Sequence, residues 1–200
     1  MDIQTILIVI AVLAVSASFH ELAHGYIAFR FGDRTAQRAG RLTLNPIKHI
    51  DPFGTILLPL MLLIAGGPVI AAAKPVPINP AYFPNPKKDM IWVALAGPLS
   101  NFLLLGVAIL IFKIIPISSE FVQKIFYIFI QMNFFLGVFN LVPIPPLDGS
   151  RVLSGLLPQK YAYKMWLLEP YGMVLVILAA YLGVFSYVFA FFRPILQFLI

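Results

Sequence analysis

Cysteine is absent from these 200 residues. That excludes disulfides, a thiolate nucleophile and any metal site built on sulfur, so a bound metal would rest on nitrogen and oxygen donors. Charge is scarce as well: Asp, Glu, Lys and Arg make up 11% of the chain, against about 25% in soluble domains. Only eight residues are acidic, which leaves few candidates for carboxylate chemistry. There is no internal repeat and no room for an appended soluble domain.

What fills the chain instead is apolar: 60% hydrophobic residues and a mean hydropathy of +0.93. That composition belongs to an all-α polytopic membrane protein. Seventeen prolines and thirteen glycines in so apolar a chain predict broken helices and re-entrant segments, tolerated where protein or a cavity surrounds them. The net charge of +6 does not mark a nucleic-acid partner, because its distribution follows membrane orientation.

Apolar runs cover Ile3–Phe31, Phe53–Ala73, Met90–Ile115, Phe121–Val142 and Tyr171–Phe192. The first is read as a retained span rather than a signal peptide, since Asp2 and no Lys or Arg precedes it. The second carries Pro59 and Gly66-Gly67-Pro68, and the basic residues decide its path. If it dips in and returns while the others cross, the cytoplasmic side holds Arg30, Arg34, Arg38, Arg41, Lys48, Lys74, Lys87, Lys88, Arg151, Lys160 and Lys164. The outer side then holds only Lys113, Lys124 and Arg193. A full crossing would destroy that asymmetry. The expectation is four full spans plus a re-entrant or hairpin segment at 53–73, with both termini outside. Residues 1–200 form one integral-membrane domain, with a core over about 3–157 and a further C-terminal helix over about 168–193. Arg41-Leu42-Thr43-Leu44 alternates polar and apolar between Gly40 and Asn45-Pro46, which predicts a short strand or hairpin. Lys74–Pro86, with prolines at 75, 77, 80, 84 and 86, predicts an irregular loop.

Within the first run lies His20-Glu21-Leu22-Ala23-His24. Two histidines four apart share one helical face, the spacing of two zinc ligands with an adjacent general base. Ionisable groups in an apolar helix are costly and are retained mainly where they line a site. A catalytic zinc commonly takes a third protein ligand and keeps one position open. Among the remaining candidates, Asp2 and Glu120 fall on the outer side, and Asp33, Asp89 and Glu169 flank runs at the interface. His49 and Asp51 lie in the basic loop. Asp148 is the strongest, in Asn140-Leu-Val-Pro-Ile-Pro-Pro-Leu-Asp148-Gly149, where three prolines unwind the chain on the leaflet of the histidines. The plainer reading of Asp148 is a turn or N-cap for Ser150–Leu157. In Ala96-Gly97-Pro98-Leu99-Ser100-Asn101, Gly97 and Ser100 permit close helix approach, and Asn101 is an amide that needs partners in an apolar helix.

Together, His20-Glu21-x-x-His24, Gly97-x-x-x-Asn101 and Asn140-x-x-Pro143-x-Pro145-x-Leu147-Asp148-Gly149 resemble the three motifs of the site-2 protease family of intramembrane zinc metalloproteases, in order and across roughly residues 15 to 155. The resemblance implies a core of three motif-bearing membrane helices around one zinc ion below the cytoplasmic surface. It further implies His20, His24 and Asp148 as zinc ligands, Glu21 as the catalytic acid/base, and Asn101 and Asn140 lining the site for substrate or oxyanion. The strand near Arg41–Leu44 is similar to the family's membrane-associated β element, held to pair with substrate. The implied partners are a transmembrane protein substrate and the lipid bilayer of the cell (inner) membrane. Many members carry PDZ or CBS domains, and these residues contain neither. Two other readings are a zinc membrane protease with a later glutamate ligand, for which only Glu120 and Glu169 are available, and a metal transporter or inactive scaffold retaining the fold.

Overall fold

The computed structural model describes residues 2–64, 66 and 72–199. Helix α1 spans Ile3–Arg30 and is capped by Asp2, whose carboxylate accepts the Thr5 N–H at 2.6 Å. Its 28 residues extend about 42 Å, enough to cross the hydrocarbon with a turn or more to spare. A one-turn helix α2, Thr35–Arg38, follows, then a 3₁₀ turn at Pro46–His49. A π-helical turn over Pro52–Leu57 leads into α3, Leu58–Ile64.

Helix α4, Pro86–Ile114, starts with proline at its first position, where no intrahelical N–H is needed. A short connection at Ile115–Ser119 turns the chain back into α5, Glu120–Asn140. After the proline segment come α6 (Asp148–Leu156) and α7 (Gln159–Leu168), then a 3₁₀ turn at Glu169–Tyr171. The chain ends in α8 (Gly172–Tyr181) and α9 (Val184–Leu199). Among the described residues, four stretches are long and apolar enough to cross a bilayer: α1, α4, α5 and the α7–α8 stretch Gln159–Tyr181. The chain is a multi-pass helical membrane protein.

Helix α4 is the centre, packing against α1, α5 and α6. Leu105 and Ala108 of α4 meet Ile130, Phe134 and Val138 of α5 in one apolar cluster. Elsewhere the polarity is inverted relative to a soluble fold. Ser16, Ser18, His20, His24, Asn101 and Asn133 are buried, while Leu7, Ile10, Leu103, Leu110 and Ile114 face outward. In hydrocarbon the outward apolar side chains cost nothing, and the polar ones must find partners inside. Asp2 reaches Lys124 at 3.5 Å, which puts the start of α1 and the start of α5 at one end of the bundle.

Two expectations need revision. First, Arg41–Leu44 is not a strand, and no strand occurs among the described residues. Local bonds consume the groups a ladder would use: Thr43 Oγ1 accepts the Asn45 N–H, the Thr43 carbonyl accepts His49 Nε2–H, and Asn45 Oδ1 accepts the Ile47 N–H. Gly40 turns the chain at φ +63°, and the Arg41 guanidinium bonds the Lys74 carbonyl at 2.7 Å. Second, the C-terminal helix expected over about 168–193 is two helices. The chain breaks at Gly183, where φ is +74°, a conformation that favours glycine. Val176 and Ala179 of α8 then pack with Phe185 of α9. The fourth span accordingly begins earlier, at Gln159. The re-entrant or hairpin segment expected at 53–73 falls partly on residues 65 and 67–71, which lie outside the described residues; the described ends meet. Ala72 N–H bonds the Gly54 carbonyl at 2.9 Å, and Lys74 N–H bonds the His49 carbonyl at 2.9 Å.

Candidate metal centre

The two histidines project from the last third of α1 toward α4 and α6. His20 Nε2 and His24 Nε2 are 3.0 Å apart, and Asp148 Oδ2 lies 3.1 Å from the first and 3.2 Å from the second. For a tetrahedral ion with bonds of about 2.0–2.1 Å, neighbouring ligand atoms stand about 3.3 Å apart. The three donors therefore form nearly one face of such a tetrahedron. All three residues are buried, and they are a group that could hold a metal ion.

The remaining ring nitrogens show what the facing atoms carry. His24 Nδ1 is 2.7 Å from the Val93 carbonyl, which can only accept, so Nδ1 holds a proton and, in the neutral ring, Nε2 presents a lone pair. His20 Nδ1 is likewise 2.7 Å from Asn101 Oδ1. Two imidazole lone pairs and a carboxylate oxygen thus converge at about van der Waals contact in a buried site. Such an arrangement repels itself unless a cation or proton sits among the three. The donor set, two nitrogens and one oxygen with no sulfur, fits zinc. With no metal, a proton on the facing ring nitrogens fills that role: burial alone would raise the Asp148 carboxyl, but His24 and His20 so protonated outweigh it and hold it well below the usual carboxylate range.

The surrounding sequence makes room for this cluster. A Cβ on Gly97 would fall on the Nε2 atoms of both histidines, so α4 can pass the site only with glycine there. Pro98 follows inside the helix and has no N–H for the Ala94 carbonyl, which loosens the ladder beside Val93. Asp148 opens α6, and its neighbour Gly149 is pressed so closely on the Leu141 and Val142 carbonyls that a Cβ would collide with them. Gly172 at the start of α8 similarly abuts the backbone at Pro145 and Pro146, bracing the loop that presents Asp148.

Glu21 is half-buried beside the pair, and its Oε2 accepts the Val76 N–H at 2.7 Å. Asn101 is fully buried. Its Oδ1 faces His20, and its Nδ2 donates to Asn133 Oδ1 at 3.0 Å. Asn140 is not drawn into the cluster: its amide bonds back to the Leu136 carbonyl at 3.0 Å. The other candidates are spent elsewhere. His49 bonds Thr43, Asp51 caps the π turn through Gly54, and Asp33 ties Thr35 to Asn79. Asp89 accepts from Asn85, and Glu169 pairs with Arg151 at 3.4 Å. Sequence reasoning missed Asn133 and Ser16, both wholly buried beside Asn101. The signal was available, since each is a polar residue within an apolar helix, as Asn101 is.

The description "Peptidase family M50" matches this chain over residues 8–117 and 105–179. The "Putative zinc metalloprotease YwhC" of Bacillus subtilis (strain 168) is 42% identical over 184 residues, covering 88% of this chain and 81% of that protein. Rip2 of Mycolicibacterium smegmatis, which bears the same designation, is 32% identical over 152 residues, 74% of this chain and 56% of Rip2, so this chain spans just over half of Rip2's length. "Zinc metalloprotease MJ0392" of Methanocaldococcus jannaschii is 26% identical over 151 residues, 76% of this chain and 34% of that protein. No solved structure matches significantly. Helices that cross a bilayer, a buried His-His-Asp cluster suited to zinc and a family match along most of the length agree: the chain belongs to Peptidase family M50, the site-2 proteases its motifs resemble.

Proposed function

We propose that this chain is a zinc-dependent endopeptidase that cleaves transmembrane or membrane-proximal segments of membrane proteins. The observation that carries this reading is the convergence of His20 Nε2, His24 Nε2 and Asp148 Oδ2 at 3.0–3.2 Å, two ring nitrogens and a carboxylate oxygen brought to one buried point. In this reading they are the zinc ligands, one ion per chain. Zinc, when bound there, supplies a Lewis acid and a water of lowered pKa.

Glu21 takes a proton from the attacking water and delivers it to the departing amine nitrogen. Asn101 has both amide groups engaged, so it orients His20 rather than touching substrate. Asn140 is free to turn from its Leu136 partner and donate to the developing oxyanion. A helical substrate shields its own carbonyls, so it must extend locally before cleavage.

Residues 1–200 act as one membrane domain, core and C-terminal helices together, with 53–73 re-entrant from the side of the site. The meeting of Gly54 and Ala72 supports that path. The cytoplasmic orientation rests on the eleven basic residues named above against three on the other side. The membrane is the cell (inner) membrane.

The test is co-expression with transmembrane reporters, reading fragments by mass spectrometry with wild type, Glu21→Gln and added chelator. Fragments should appear with wild type alone. Equal cleavage by Glu21→Gln removes Glu21 as the base, and intact reporters with zinc-loaded wild type leave the scaffold or transporter reading.

A further inference from the structure

Behind His20 runs a chain of buried amides. Asn133 Nδ2 lies 2.9 Å from the Phe129 carbonyl and 2.9 Å from Ser16 Oγ. Asn133 Oδ1 then faces Asn101 Nδ2 at 3.0 Å, Asn101 Nδ2 also approaches the Ser16 carbonyl at 3.4 Å, and Asn101 Oδ1 faces His20 Nδ1 at 2.7 Å. Ser16, Asn101 and Asn133 are each 0% exposed, so no water competes for these groups.

The direction of every bond in this chain follows from its far end. The Phe129 carbonyl can only accept, so Asn133 must turn its NH₂ toward it and its oxygen toward Asn101. Asn101 must then present NH₂ to Asn133 and oxygen to His20. That oxygen can only accept, so the His20 proton is placed on Nδ1 and the lone pair on Nε2, where Asp148 and His24 converge. His24 obtains the same result from one backbone carbonyl. His20, facing a flippable amide, needs that amide fixed.

We infer that Asn133, anchored on the Phe129 carbonyl and Ser16, is a positioning residue that fixes the Asn101 amide and through it the zinc-binding tautomer of His20. The inference rests on the zinc site proposed above. Asn133 bonds Asn101, Ser16 and the Phe129 carbonyl and none of the three ligand atoms, and it acts only by denying Asn101 the flipped orientation. Groups that orient metal-binding imidazoles characteristically contribute to affinity without coordinating.

The test is zinc affinity of the purified full chain, measured by chelator competition in a double-mutant cycle. Asn133→Leu, close in volume and unable to bond, should raise the zinc Kd about 10-fold, within the range of 10–100-fold for such partners. In an Asn101→Leu background the same change should alter Kd less than about twofold, because the link is already broken. Asn133→Asp, whose neutral acid form keeps one donor and one acceptor, should restore most of the affinity. Nitrogen-15 spectra of the metal-free protein should show His20 protonated at Nδ1 in wild type and a mixture of tautomers in Asn133→Leu. If the leucine variant does not fold, Asn133→Ala enters the same cycle. A wild-type Kd unchanged by Asn133 replacement, or an equal loss in both backgrounds, overturns the relay alone. Wild type without zinc affinity overturns the site itself.

Discussion

The helices around His20 share a buried polar seam in addition to their apolar contacts, whereas the C-terminal third packs through apolar side chains. Between α1, α4 and α5 the fully buried side chains include Ser16, Asn101 and Asn133, each hydrogen-bonded across helices. Between the proline segment after α5, α8 and α9 the packing is Val142, Leu147, Val176, Ala179 and Phe185, with Phe135 of α5 and Phe189 of α9 stacked at 3.9 Å between centroids. An apolar cluster tolerates swaps that keep its volume, whereas a polar one loses a partner's desolvation with each deletion. The polar seam is therefore specified atom by atom, and the C-terminal packing mainly by shape.

Substitutions can break or sharpen that contrast. The largest effect should come from Glu21→Gln, which keeps the volume and removes the base. Cleavage of a membrane reporter should fall by about 10²–10⁴-fold, with zinc content by elemental analysis unchanged. Asp148→Ala should empty the site of metal, a loss in zinc affinity beyond the about 100-fold reached by orienting partners. Undiminished zinc by elemental analysis would remove it from the ligand set. Asn101→Ala should weaken zinc by about 10–100-fold while leaving three ligands in place, as read by chelator competition. In the C-terminal third, Gly183→Ala strains the left-handed turn and should cost about 1–2 kcal/mol of stability, seen as earlier thermal unfolding in detergent with zinc affinity preserved. Arg151→Ala should be smallest, below about 0.5 kcal/mol, because its pairing with Glu169 is long and more than a third exposed. A large loss of zinc from either C-terminal variant would erase the distinction.

The same contrast explains what was readable beforehand. His20, His24 and Asp148 could be matched before any geometry because chemistry of this type requires particular residues at particular spacings, and the structure brings those three together. Asn101 was noticed for a related reason, as an amide without an evident partner. Its role was less visible, since the sequence marks Asn133 as a polar residue in an apolar helix but does not show that it faces Asn101 and is anchored on the Phe129 carbonyl. Arg41–Leu44 alternates as a strand does, but alternation supplies no partner edge, and local bonds to Thr43 and Asn45 prevailed. The break at Gly183 was hidden because glycine is common in membrane helices and hydropathy is blind to φ.

Gly97 has a consequence for engineering. In a helix interior, alanine is ordinarily favoured over glycine by about 0.5–1 kcal/mol, so a survey for thermal robustness would nominate this position early. The added methyl would lie on both imidazole nitrogens. Durability and chemistry pull in opposite directions at this residue, and a hardened version of the protein would gain its extra degrees by filling the space its chemistry needs.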